Sequence, residues 1–236
     1  MPRKSWKTKE EWKTYGNVFD QFTLRTLFKL SGQGHFEELK SPVSVGKESN
    51  VFSATRGNEK IIAKIYRIET CDFNRMYDYI KYDPRFQLKR VKRQIIFSWV
   101  QREFRNLYLA RKAGVRVPTP IAYLNNILLE EFIGDENPAP KLKDTLPENP
   151  EKFFNEIVKF MQILYKNELV HADLSQFNIL NHNEHPVFID FSTCTSINDP
   201  RALEYLERDV KNICAFFKKL NVNCDEKEVL TTILKK

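Results

Sequence analysis

Three polar side chains set among apolar runs constrain this chain more than any other feature. Residues 169–180 read LVHADLSQFNIL, and PVFID follows at 186–190. Asp173, Asn178 and Asp190 thus lie beside strand-like apolar segments, where an ionised carboxylate is costly unless it is paired or coordinates a metal. The turn NHNE at 181–184 joins the two segments as a hairpin and returns Asp190 close to residues 178–180. Asn178 and Asp190 then offer oxygen ligands on one side of a cavity. That donor set suits Mg2+, which takes one or two protein oxygens and completes its shell with phosphates and water. Asp173, five residues before Asn178, faces the same cavity from a loop. It is placed to orient or deprotonate an attacking hydroxyl or water.

The remainder of the chain supplies two kinds of element. Residues 17–40 read as helix, with Phe19, Phe22, Leu27 and Leu30 near helical spacing and Gly32 and Gly34 ending it. PVSVGKESNVFSATR and KIIAKIYRI alternate and are β-branched, which predicts two strands and a third from residue 43. Residues 70–95 are polar and basic with a break at Pro84, which predicts a mobile insertion holding at most a short helix. FSWVQREFRNLYLARKAG is an amphipathic helix closed by Gly114. Two strands split at Asn125 and Asn126 follow, then a helix with Pro150 near its first turn, the hairpin, and helices over 200–220 and 225–235. Strands dominate the first half and helices the second, so the fold class is α+β with a small sheet-rich lobe and a small helical lobe. A cleft between such lobes is the expected ligand site. The expected units are a basic, helical extension over 1–40, the sheet lobe over 41–133 and the helical lobe over 134–236.

Lys64 ends the alternation IIAKI and shares a strand face with Ile62 and Tyr66. A buried lysine needs a counter-charge. Glu103 can supply it from the helix stripe Val100, Phe104 and Leu107, where an apolar residue is normal. Gly46 and Lys47 do not form a Walker A loop, since Ser41 stands where the first glycine belongs and Glu48 follows the lysine. His182 and His185 flank a turn beside Pro186 with no cysteine near, which reads as a solvated turn rather than a zinc site.

The spacing H-x-D-x-x-x-x-N from His171 to Asn178, with a later metal-binding aspartate, is the catalytic-loop plan of the protein-kinase-like fold. LVHADLSQFNIL closely resembles the RIO family of atypical serine/threonine protein kinases, in its type-1 branch and archaeal-like form. VGKESNVFSA is similar to that family's phosphate-covering loop, AKIYRIET to its lysine strand, and REFRNLYLARKAGVRVP to the helix and turn that follow. EEFIG resembles its hinge and YLERDVKNI its closing helix. The likeness runs from about residue 23 to 220.

This resemblance implies a bilobal fold with a β-rich N-lobe and a trimmed helical C-lobe. It implies ATP with Mg2+, or Mn2+ in its place. Asp173 is then the base or orienter, Asn178 and Asp190 hold the metal, and Lys64 pinned by Glu103 clamps the phosphates. Ser44, Lys47 and Ser49, with Glu48, cover the phosphates where ordinary kinases carry three glycines. The Glu131 carbonyl and the Ile133 N–H take the adenine, and Asp209 braces the catalytic loop. Four departures stand out. Glu130 falls where an apolar gatekeeper is usual, and Phe191-Ser192 replaces Phe-Gly. No arginine precedes Asp173, so a phosphate-driven activation switch is not expected. No A-P-E motif follows, and the 46 residues after Asp190 are too few for the usual peptide-docking helices.

The resemblance further implies autophosphorylation, an ATPase cycle in which Asp190 itself takes the phosphate, and a role in maturing the small ribosomal subunit. Ribosomal RNA is then a partner, which a net charge of +7 favours. Arg3, Lys4, Lys7, Lys9 and Lys13 interleave with Trp6, Trp12 and Tyr15, and Lys89, Arg90, Lys92 and Arg93 form a second cluster. Both suit RNA contact by charge and stacking. Two other readings share the motif. One is a small-molecule phosphotransferase of the aminoglycoside or choline kinase type, which needs a large acidic substrate lobe. The other is an assembly factor with little kinase activity whose nucleotide state gates its release. No apolar run approaches the roughly 18 residues of a bilayer span, and the first residues lack a secretory apolar core. Four scattered cysteines without a C-x-x-C pair fit a reducing compartment. The expected setting is cytoplasmic, with no membrane partner.

Overall fold

Asp20 caps the first helix, α1 (Gln21–Gly32), its carboxylate accepting from the N–H groups of Phe22 and Thr23 at 2.9 Å. The structure, a computed structural model, describes residues 19–86 and 91–235. Helix α1 lies on a five-stranded antiparallel sheet of order β1-β2-β3-β5-β4. Its strands are β1 (Glu38–Val45), β2 (Ser49–Arg56), β3 (Glu59–Tyr66), β4 (Pro120–Leu124) and β5 (Ile127–Glu131). Leu27 and Leu30 of α1 pack with Phe52, Ile61, Ala63 and Ile65 on one face of the sheet. Alternation sends Tyr66 and Leu128 to the other face, into a second core with Val100 and Leu107.

Two expectations about this lobe change. The boundary placed after residue 40 falls inside β1, and α1 belongs to the sheet's own core rather than to an extension. The helical spacing of 17–40 ends early because Gly34, at φ 79, turns the chain and Glu37 already pairs with Thr55. Pro42 fits within β1 because this is an edge strand whose register shifts there. Second, residues 70–95, read as a mobile insertion, carry packed elements where they are described. Helix α2 (Phe73–Ile80) buries Met76 and Ile80, and α3 (Lys92–Ala113) begins before the amphipathic pattern that starts at Phe97. Polar side chains that looked solvated are structural: Asp83 holds Arg85 at 2.6 Å and Arg102 at 3.2 Å. Lys89, Arg90 and the basic, aromatic cluster before Phe19 lie outside the described residues. Lys92 donates to the Glu69 carbonyl at 2.8 Å, and the Arg93 guanidinium stacks on Phe22.

The second lobe contains α4 (Pro150–Lys166), α5 (Ala202–Lys218) and α6 (Glu226–Leu234) around two short antiparallel pairs. β6 (Leu169–Val170) pairs with β9 (Thr195–Ser196), and β7 (Ile179–His182) with β8 (His185–Phe188). The β7–β8 turn has Asn183 and Glu184 at φ 53 and 63, the positive pair that a two-residue hairpin of this hand requires. Phe153, Ile157 and Leu164 of α4 pack on Val210 and Phe217 of α5 and Ile233 of α6. This apolar floor fixes the ends of the strand pairs, and hence the loops 171–178 and 189–194, at the cleft.

Candidate active site

Lys64 projects from β3 toward the cleft and is 7% exposed. Its Nζ donates to Glu103 at 2.6 Å and to Asp190 at 2.9 Å. Glu103, buried on α3, also accepts from the Tyr66 hydroxyl at 2.6 Å, so both its oxygens are engaged. Burial alone would lower the Lys64 ammonium, but Asp190 and Glu103 raise it well above the usual lysine range. Burial likewise works against the Asp190 carboxylate, yet Lys64 and the Ser192 hydroxyl, at 2.7 Å, hold it well below the usual range. Its side chain keeps 39% exposure, opening onto the cleft. Asp190 has φ 62, a sparsely occupied conformation for a residue with a side chain, held here by its neighbours' bonds.

The loop after β6 is over-determined. Ala172, at φ 64 and fully buried, donates its N–H to Asp209 at 2.8 Å, and Leu174 does the same. Arg208 donates to the Ala172 carbonyl. Asp209 thus braces this loop from α5; burial pushes its carboxyl to about 7 against the pull of those two N–H groups. His171 meets the Ile189 carbonyl at 3.0 Å and packs edge-on to Phe191. Burial lowers it to about 4, so it is a neutral link between the two loops. Asn178 donates Nδ2 to the Asp173 carbonyl at 2.8 Å and to its Oδ2 at 3.3 Å. Its Oδ1 is left for the cleft, which both Asn178 and Asp190 line. Burial, and then the Asp190 charge, raise Asp173 above an ordinary aspartate. Among the described residues no three His, Cys, Asp or Glu side chains gather as a metal site. The Asn178 amide oxygen and an Asp190 carboxylate oxygen are donors of the kind a hard cation takes together with phosphate and water.

A second set of residues was not anticipated. Arg102, fully buried on α3, donates to the Ser192 carbonyl at 2.8 Å and pairs with Asp83. One turn on, Asn106 donates to the carbonyls of Phe191 and Cys194 at 3.1 and 2.7 Å. Arg85 closes the net on the Asn106 amide oxygen at 2.9 Å. The backbone that follows Asp190 is thereby tied to the helix that carries Glu103. One signal was available: Arg102, Glu103 and Asn106 interrupt the apolar stripe of α3 at helical spacing.

The cleft itself is a cavity of about 570 Å³. Ser44 and Ser49 line it together with Gly46, whereas Lys47 does not; at the exposed tip of the β1–β2 turn, its carbonyl accepts from Thr70 at 2.8 Å. Glu103 stands behind Lys64 rather than in the wall. At the lobe junction Glu131 and Ile133 both line the cavity. The Glu131 carboxylate is committed to Arg116 at 2.7 Å and to the Thr119 hydroxyl at 2.7 Å. Against burial, those bonds draw it down to about 2. The Ile133 carbonyl accepts from Ala139 at 2.9 Å. Gly134 follows at φ 136, where a Cβ would lie 2.2 Å from the Asn137 carbonyl oxygen. Gly134→Ala is therefore expected to cost about 1–3 kcal/mol in backbone strain and to shift the junction; thermal unfolding of the variant measures it.

A family model for the RIO domain matches residues 50–229. A RIO-type serine/threonine-protein kinase Rio1 of Methanocaldococcus jannaschii is 45% identical over 225 residues, 93% of this chain and 77% of its own length. The protein of the same name in Haloferax volcanii is 38% identical, over 93% of this chain and 77% of its own length. Against the human serine/threonine-protein kinase RIO1 the identity is 34% over 92% of this chain, which spans only 39% of that protein. Among solved structures, the Rio2 kinase-ADP/Mg2+-phosphoaspartate complex from Chaetomium thermophilum has the same fold at TM-score 0.69 and 21% identity. It is matched over 90% of this chain and 66% of that one.

Proposed function

The chain belongs to the RIO family of atypical serine/threonine protein kinases, in its Rio1 type, and from that premise we propose that its cleft transfers the γ-phosphoryl group of ATP with Mg2+ as the metal. One observation carries the reading: the Lys64 ammonium stands between Glu103 and Asp190, at 2.6 and 2.9 Å, on the wall of an interlobe cavity. A lysine pinned on one side is a fixed positive charge for phosphate oxygens. Asn178 and Asp190 are the oxygen donors that would hold Mg2+, which when bound neutralises charge on the β- and γ-phosphates. Asp173, with its raised carboxyl, orients the acceptor hydroxyl and takes its proton. Ser44 and Ser49 cover the phosphates; the Glu131 carbonyl and the Ile133 N–H take the adenine. Positioning and electrostatics of this kind supply most of the rate in phosphoryl transfer.

The neighbouring Rio2 kinase is described as a phosphoaspartate complex with ADP and Mg2+. That supports a cycle here in which an Asp190 oxygen attacks the γ-phosphorus, the bond to the β–γ bridging oxygen breaks and ADP leaves. Water then hydrolyses the acyl phosphate. The family resemblance extends the reading to autophosphorylation and to small-subunit maturation with ribosomal RNA as partner, for which the +7 charge is suited. All four cysteines are free and buried, in keeping with a reducing, cytoplasmic setting. Among the described residues no helix is long and apolar enough to cross a membrane.

The test is a titration with ATP and Mg2+ followed by mass mapping of incorporated phosphate. Saturable, Mg2+-dependent binding with phosphate on a serine, a threonine or Asp190 is the expected result. Binding without any ADP release or incorporation would remove the reading. Turnover stimulated by small alcohols would favour the small-molecule phosphotransferase instead.

A further inference from the structure

Chemistry differs along the cleft. Lys64, Asn178 and Asp190 line one part; Ile62, Ile133 and Leu180 wall another, and Glu130 stands with them. The sheet register fixes how these are arranged. Lys64 pairs with Leu128 and Ile62 with Glu130, so the Glu130 carboxyl emerges on the same sheet face as the Lys64 ammonium. Two residues along a strand separate them, roughly 7 Å. Ile133 and Leu180 pack with Ala139 and Val187, which makes this part of the cavity apolar. Among the described residues no hydrogen bond or ion pair engages the Glu130 carboxyl. Half-buried in the cavity wall and without such a partner, this carboxyl is available to a ligand group.

We propose that Glu130 is a specificity-determining residue: its carboxyl hydrogen-bonds the base of the bound nucleotide and selects adenine over guanine. The inference rests on the reading of the cleft as a nucleotide site. With the backbone of Glu131 and Ile133 on one edge of the base, the edge left for a side chain carries the 6-substituent and N7. Adenine offers a donor and an acceptor there, guanine two acceptors. A neutral carboxyl also offers one donor and one acceptor, as a glutamine does, and matches adenine alone on both. Burial raises Glu130 to about 8, with the Glu103 charge from α3 adding to the effect. Lys64 from β3 opposes that shift, while Asp190 and the adjoining Glu131 support it. These effects together favour the neutral carboxyl near neutral pH.

Because the folded protein holds this proton more tightly than the unfolded chain, its contribution to stability is complete below the ordinary glutamate value. It fades as pH rises through about 8. Glu130→Gln keeps the donor and acceptor without titrating; Glu130→Met removes both at similar size.

The experiment measures affinity for non-hydrolysable ATP and GTP analogues with Mg2+, in the wild type and both variants, at about pH 6.5 and about pH 9.5. At the lower pH the wild type and Glu130→Gln are expected to prefer the adenine analogue by about tenfold more than Glu130→Met does, which keeps only the discrimination supplied by the Glu131 carbonyl and the Ile133 N–H. At the higher pH the wild type alone weakens toward the adenine analogue, and it loses more thermal stability than either variant, since all three share the loss that comes from Asp209. An adenine preference unchanged in Glu130→Met overturns the proposal. So does a wild-type affinity that tracks Glu130→Gln at both pH values, a result readable even where Glu130→Met fails to fold. A wild type that binds neither analogue overturns the nucleotide-site reading itself.

Discussion

Asp190→Ala is expected to lower ATP turnover by about 10³-fold or more, with the fold retained. Asp190 is an electrostatic centre of the cleft. Its carboxylate accepts from Lys64 at 2.9 Å and from Ser192 at 2.7 Å, and its side chain opens to the cavity. Removing it deletes the proposed metal oxygen donor and phosphoryl acceptor, and one of the two carboxylates that fix Lys64. Glu103 remains at 2.6 Å from Lys64, so the ammonium keeps a buried counter-charge and the small lobe keeps its packing. Asp190→Asn separates shape from charge, and an equal loss is expected. Asp173→Ala tests the base independently, with about 10²–10⁴-fold expected. Radiolabelled ATP turnover follows all three; activity within tenfold of wild type in both alanine variants would refute the mechanism.

Arg102→Met is expected to destabilise the protein by about 3–5 kcal/mol, read as a lower urea midpoint. The guanidinium is fully buried and joins three distant pieces of chain: Asp83 at 3.2 Å, the Ser192 carbonyl at 2.8 Å and its own helix α3. Truncation leaves the Asp83 carboxylate with Arg85 as its remaining cation and orphans a buried carbonyl next to the cleft. Unlike a mere packing loss, this change releases the backbone two residues past Asp190. Turnover is therefore expected to fall as well, measured at a temperature where the variant remains folded. A variant with an unchanged urea midpoint would show that the net around Asn106 and Arg85 suffices without it.

Much of the candidate site was legible because its parts are local. Asp173 and Asn178 lie five residues apart on one loop, and the hairpin that returns Asp190 is announced by its own turn residues. Lys64 and Glu103 were readable for a related reason: each interrupts an apolar period, on a strand and on a helix, and a charge in such a place needs its opposite. Other parts had no such marker. Residues 70–95 looked like solvated chain because Asp83 and Arg85 are charged, yet both are bound to buried groups on α3. Lys47 sat in a plausible loop, but it falls at the exposed tip of the β1–β2 turn, where its carbonyl accepts from Thr70 and its side chain does not line the cleft.

By itself the sequence determined the order of elements, the two-lobed α+β class and the chemical identity of the groups that converge, since propensity, period and turn chemistry act over a few residues. Only the tertiary structure decided which of those groups touch. The bond from Arg102 to Ser192 spans 90 positions, and that from Lys64 to Asp190 spans 126. The seating of α1 on the sheet and the apolar surroundings of Glu130 are of the same kind. Contacts so far apart are set by how two packed cores meet, and the balance there between burial and bonded partners gives each carboxylate its charge state: Lys64 and Ser192 keep Asp190 ionised, whereas burial raises Glu130 and Asp209.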